Sequence, residues 1–205
     1  MPNPVRRQLL LALALAPTVG IAGLAAEADA ATARIRSFYD TLLETMKHAA
    51  ALGVKGRYEK LAPAVRATFD LPTMTRIAVG PEWKSLKPEQ QAALGEQFAR
   101  MTIATYASRF DGYSGERFEV DPVTEPRNAN RIVRTKLILK EKEPVLLNYL
   151  VHQTTDGWKA IDVYLSGTIS ELATRRSEFA SILKSGGAQA LIDSLRARAD
   201  KMLSS

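Results

Sequence analysis

Few residues in this chain can do chemistry. Its 205 residues hold no cysteine and two histidines, His48 and His152. Without thiols there is no cysteine nucleophile, no disulfide and no thiolate zinc site. The histidines stand far apart in unrelated contexts, and neither has a second ligand at metal spacing, so no metal and no cofactor is expected. No G-x-S-x-G elbow, phosphate-binding glycine loop or dinucleotide fingerprint occurs. One carboxylate stands out: Asp162 alternates with Trp158 and Ala160 in a strand-like stretch. Beside a cavity, burial could raise its pKa and make it a general base. The commoner role is a carboxylate bonded to a neighbouring backbone or arginine. No partner acid or electrophile is visible, so no catalytic residue is expected.

The amino end carries a different signal. Arg6 and Arg7 precede an uncharged apolar run at 9–16, which Pro17, Gly20 and Gly23 interrupt before small residues follow. Ala28-Asp29-Ala30 fits the A-x-A cleavage pattern, so a secretory signal peptide cut after Ala30 is expected, with Ala26 as the alternative site. Residues 9–26 are just long enough to span a bilayer uncleaved, but the interior proline and glycines favour cleavage. The expected layout is a signal peptide over 1–30 and a single exported domain over 31–205, placing the protein in the periplasm. A chain of this size buries a core without staples.

The charge balance, 28 Lys+Arg against 22 Asp+Glu, is +6. Arg6, Arg7, Glu27 and Asp29 cancel, so the excess lies past Ala30. It suits an anionic membrane surface or ligand, or serves solubility alone. The basic residues are scattered and the chain is exported, so nucleic acid is not expected as a partner.

Periodicity then supplies the elements. Ile35, Phe38, Leu42, Met46 and Ala49 mark a helix over 32–51, ended by Gly53 and Gly56. Helices over 58–69 and 72–79 follow, and Gly80-Pro81 is a stop. Pro88 opens a helix to 110 that is apolar on two faces, one bearing Leu94, Phe98, Met101 and Thr105, the other Ala99, Ile103, Tyr106 and Phe110. Such a helix must be covered on two sides, here by a sheet and by other helices. Four strands come next, over 117–123, 131–140, 144–154 and 158–165, with Pro122 marking an edge or bulge and Asp156-Gly157 a hairpin. Ser170 caps a helix over 171–184; Gly186-Gly187 breaks it before a last helix at 188–203. The class is α+β, an antiparallel meander covered by several helices. The apolar surplus on so narrow a sheet is either plain core or a cleft for an apolar ligand between sheet and helices.

Particular motifs favour the cleft. FDLPTMTRIAVGPEWK at 69–84, TYASRFDGYSGERFEV at 105–120, NYLVHQTTDGWKAIDVYLSGTIS at 148–170 and RRSEFASILKSGGAQALIDSL at 175–195 together resemble the MlaC/toluene-tolerance family of periplasmic lipid-binding ABC transport components. The similarity spans about 35–200. After the last strand the chain reads Ser166-Gly167-Thr168-Ile169-Ser170 where the family usually reads near E-G-V-S, and GTISELATRRSEF looks more like the hopanoid-associated HpnM branch.

The resemblance implies a curved four-stranded sheet covered by helices, with acyl tails in a lipid cleft between the layers. It implies a non-enzymatic shuttle carrying phospholipid or hopanoid between the membranes. Its partners would be an inner-membrane ABC transporter complex and an outer-membrane lipoprotein complex. On that reading Phe69, Met74, Ile77, Phe98, Met101, Tyr106, Tyr149, Val151, Val163, Phe179 and Ile182 contact the tails, and Arg176 reaches a head group. Two alternatives remain open: a small enzyme of a cone-shaped α+β fold with an apolar substrate, and a structural partner of a membrane complex that carries no lipid.

Overall fold

A computed structural model describes residues 20–204. The basic pair and the apolar run of the expected signal peptide lie outside these residues. Helix α1, Gly20–Lys47, passes through Ala30 without a break. Its side chains are placed from Ala30 onward, and Ile35, Phe38, Tyr39, Leu42 and Met46 form a buried stripe at spacings of three and four. Helix α2, Ala49–Thr68, kinks at Gly53, whose φ of 60° and ψ of 177° no helix allows. The helix expected to run to 51 thus ends earlier, at Lys47, and Gly53 kinks the next helix instead of ending the first, while Gly56 lies inside helix.

Helix α3, Leu71–Val79, starts where the Asp70 carboxylate accepts from Thr73 N–H at 3.1 Å and Pro72 occupies the first turn. A 3-10 segment, Gly80–Ser85, leads to α4, Pro88–Arg109. Pro88 opens α4, and Gln90 accepts from the Lys87 N–H at 3.0 Å.

Five strands follow: β1 Arg117–Arg127, β2 Asn130–Ile138, β3 Val145–Thr154, β4 Gly157–Leu165 and β5 Ile169–Ser170. They pair in sequence order, each antiparallel to the next. The four-stranded expectation therefore gains a short fifth strand, because the chain leaving β4 folds back to pair Ile169 with Leu165 before α5 begins. Pro122 sits on the edge strand and within its bulge, between Val120 and Thr124. The β3–β4 loop is Thr155-Asp156, one residue earlier than the expected Asp156-Gly157, with Gly157 at φ 94° opening β4.

Helix α5, Glu171–Leu203, completes the chain. It kinks at Gly187 (φ 66°, ψ −167°), so the expected break falls on one glycine and Gly186 remains helical. Helix α1 lies across β1, β2 and β4, while α4 packs on α2, α3 and α5. Helices thus cover α4 as expected, but the sheet expected against its other face is set off from it by a cavity.

Candidate functional site: a cavity between sheet and helices

The cavity follows from how the sheet is built. On β3, Leu147 and Tyr149 share one face, opposite Leu165 and Val163 of β4. A bulge at Ile161 interrupts the ladder: Leu150 pairs with Asp162, but Val151 pairs with Ala160. The bulge overturns the expected alternation. Val163, not Asp162, shares the Tyr149 face, and Asp162 leaves the face of Trp158 and Ala160.

Asp162 is 6% exposed and fully engaged. One carboxylate oxygen accepts from Val163 N–H at 2.8 Å and Leu172 N–H at 3.0 Å. The other accepts from the Ser170 hydroxyl at 2.5 Å, and that hydroxyl in turn accepts from Ala173 N–H at 2.9 Å. Asp162 thus fixes the first turn of α5 to the sheet, the backbone-bonded role rather than that of a base.

Two other anchors set the remaining walls. Asp70 N–H bonds to Ala160 C=O at 2.9 Å, next to the Phe69–Ala160 bridge, and its carboxylate meets His152 Nε2 at 2.9 Å. Burial pushes the Asp70 pKa up, but the Thr73 bonds and the His152 charge together hold it below the ordinary carboxylate value. This corner fixes Phe69 and Met74. The second anchor is Arg57, 8% exposed, whose Nε donates to Ala107 C=O at 2.7 Å and whose terminal NH donates to Ala49 C=O at 3.0 Å. Both carbonyls lie where helix bonding ends, one in the last turn of α4 and one just before the Gly53 kink. The guanidinium caps both and fixes the end of α4.

The free volume so enclosed is about 140 Å³. Phe69, Met74, Phe98, Met101, Tyr149 and Val163 line its interior. The threonines of α4 add no polarity: Thr102 donates to Phe98 C=O and Thr105 to Met101 C=O, both at 2.8 Å, so their hydroxyls are used within the helix. Behind the Tyr106 and Tyr149 wall, on the α1 side, runs a chain of hydroxyls. Thr135 donates to Leu147 C=O and takes a bond from Tyr39 at 2.6 Å; Tyr149 bonds to both Tyr39 and Tyr106. Because Thr135 spends its proton on the carbonyl, Tyr39 must donate to Thr135. Burial pushes the Tyr39 phenol up to about 12 and raises those of Tyr106 and Tyr149 as well. All three are neutral near pH 7, so the wall carries dipoles and no charge. Charge enters only at the mouth, with Arg109, Glu171 and Arg175.

Of the residues expected on tails, Phe69, Met74, Phe98, Met101, Tyr106, Tyr149 and Val163 come together around this cavity. The others do not line it. Val151 and Phe179 are fully buried in the core, Phe179 edge-on to Phe98. Ile77 and Ile182 pack half-buried against that core. Arg176 lies over the backbone at Gly80, where an added Cβ would sit 3.2 Å from its Nε. It is Arg175, one residue and about 100° earlier on the helix, that reaches the mouth. Residues missed by sequence reasoning include Leu165, displaced by the bulge, and Arg109, one turn beyond Thr105 on the same face. His48, between α1 and α2, bonds back to Glu44 and lies outside the site.

Comparison with known proteins places this geometry. A search of curated protein sequences finds no match. Among solved structures, the chain is similar to a phospholipid-binding protein from Ralstonia solanacearum determined in complex with a phospholipid. The TM-score is 0.73 at 25% identity, over 84% of this chain and 98% of that one. The family model for the MlaC protein matches residues 36–197, which include every strand and all of the cavity lining. The chain belongs to the MlaC family.

Proposed function

We propose that this protein is a periplasmic lipid carrier, holding acyl tails in the cavity between sheet and helices and performing no chemistry on them. The observation that carries the reading is the cavity itself: an apolar interior, neutral phenols on one wall and charges confined to the mouth. That is the polarity of a lipid, tails inward and head group at the opening. The bound phospholipid in the similar Ralstonia protein supports it. The engagement of Asp162 by three donors supports a carrier over an enzyme.

The energetics suit a shuttle. Burying a methylene is worth roughly 0.8 kcal/mol, so about thirty in two tails give roughly 24 kcal/mol against water. That exceeds the practical ceiling for noncovalent affinity, about 18–21 kcal/mol. The lipid leaves a membrane, however, not water. Tails in the bilayer and tails in the protein are close to isoenergetic, so loading and unloading are set by docking partners. By family resemblance those partners are an inner-membrane ABC transporter complex and an outer-membrane lipoprotein complex. Export would use residues 1–30 as a cleaved signal, leaving 31–205 as the carrier. No helix among the described residues is long and apolar enough to cross a membrane.

Native mass spectrometry of the purified chain, with extraction of what it carries, tests the proposal. A bound mass matching phospholipid is expected, and a triterpenoid mass would assign hopanoid cargo instead. A protein that is empty and takes up nothing from vesicles would overturn the carrier reading.

A further inference from the structure

The cavity interior cannot tell one phospholipid head group from another, because it holds apolar side chains, back-bonded threonines and neutral phenols. Any discrimination by charge falls to Arg109, Glu171 and Arg175 at the mouth. Neither arginine is tightly neutralised. Arg109 is exposed and makes no ion pair among the described residues. Arg175 has Glu171 at 4.0 Å and Glu178 at 3.7 Å, but Glu178 is held at 2.5 Å by Arg198, which lowers its pKa ahead of any effect of Arg175. Glu171 is correspondingly loose, its only ion pair among the described residues being that 4.0 Å contact. Arg109 and Glu171 both line the cavity with Tyr106 and act on its phenol in opposite senses, the arginine lowering its pKa and the glutamate raising it.

The anchors described above hold these charges in place. Arg57 fixes the end of α4 that carries Arg109, and Asp162 fixes the turn of α5 that carries Glu171 and Arg175. Glu171 and Arg175 stand one turn apart on one helix face. In an ethanolamine head group, a two-carbon spacer sets phosphate and ammonium a comparable distance apart. We infer that the mouth reads a zwitterionic head group, the phosphate against Arg109 and Arg175 and the ammonium against Glu171. The inference rests on the lipid-carrier reading and adds a substrate class to it. The arginines hold the phosphate common to all phospholipids, and Glu171 alone separates those bearing an amine from those that do not.

The test uses the full chain and vesicles of equimolar phosphatidylethanolamine and phosphatidylglycerol with matched acyl chains. After incubation the protein is re-isolated and its lipids are extracted and quantified. The wild-type chain is expected to hold phosphatidylethanolamine in about twofold to fivefold excess, the range that a partly exposed ion pair supports. Glu171→Gln should bring the ratio to one, and Glu171→Lys should favour phosphatidylglycerol. Arg109→Gln should lower uptake of both phospholipids about twofold to fivefold relative to phosphate-free diacylglycerol. A wild-type ratio of one, or a persisting excess in a Glu171→Gln protein that melts like wild type, overturns the head-group inference and leaves the carrier reading standing. Uptake of neither phospholipid overturns both.

Discussion

Arg57 shows how much one side chain can hold. Among the described residues it is buried without a carboxylate and bonds to two carbonyls, Ala107 C=O at 2.7 Å and Ala49 C=O at 3.0 Å. Hydrogen bonds to a charged group are each worth about 1.5–3 kcal/mol, and removing the donor strands both carbonyls. Arg57→Ala is therefore expected to cost about 3 kcal/mol, which at this size lowers Tm by roughly 6–12 °C; thermal unfolding followed by circular dichroism measures it. Asp70 makes a pH-dependent contribution. Its pKa is lower folded than unfolded, so its stabilisation is present above the unfolded value, about 3.9, and is lost as pH falls through the folded one. Asp70→Asn should lower stability at neutral pH and flatten its decline below about pH 4. Urea midpoints across that range check this, and parallel curves for the two proteins would refute it. Neither role was legible in sequence. A buried arginine and a carboxylate three residues before a threonine acquire meaning only once carbonyls and an imidazole arrive from distant segments.

At the scale of elements, glycines decide where the long helices bend. Gly187 has a backbone conformation that only glycine adopts easily, with nothing within 4 Å of an added Cβ. Gly187→Ala is thus a test of strain alone, expected to cost about 1–3 kcal/mol in urea unfolding. A neutral result would mean the kink relaxes. The two-faced apolar pattern of α4 was readable, but not that a cavity would stand between it and the sheet. Helices and strands were readable too, because periods of 3.6 and 2 are local properties of the chain. The bulge at Ile161 was not. It is a register choice made against β3, and it exchanges Asp162 for Val163 on the cavity face. The short β5 escaped for a related reason: two residues carry no period, and their pairing depends on where β4 ends.

For the whole molecule, the cavity is held open by anchors on three sides while its interior keeps an unfilled volume. Filling it is the direct test of what it is for. Met101 lines the cavity and is 2% exposed. Met101→Trp should occupy the space and reduce co-purified lipid several-fold while the far-ultraviolet spectrum stays native. Unchanged lipid in a folded variant would remove Met101 from the binding wall. Removing the ligand from the wild-type protein should act on stability through linkage, since a cargo that binds only the folded state adds RT ln(1 + [L]/Kd). Delipidated protein is expected to melt several degrees lower, about 2.7 kcal/mol less stable if the lipid was at a hundred times its Kd. Equal melting temperatures for loaded and delipidated protein would show that the tails do not contact the folded core.

The sequence by itself determined the class of elements, their order, the doubly apolar α4 and the scarcity of catalytic groups, and its motifs carried the family resemblance. These are properties of composition and local period, set by how each segment must hide its apolar side chains. Tertiary structure alone decided which of those side chains face space and which face each other. Phe98 and Phe179 are equally apolar and touch edge-on, yet only Phe98 borders the cavity. Arg175 and Arg176 are adjacent, yet one reaches the mouth and the other lies over Gly80. The physical reason is common to both pairs. A cavity is a mismatch between surfaces brought together from different parts of the chain, and no single segment encodes it.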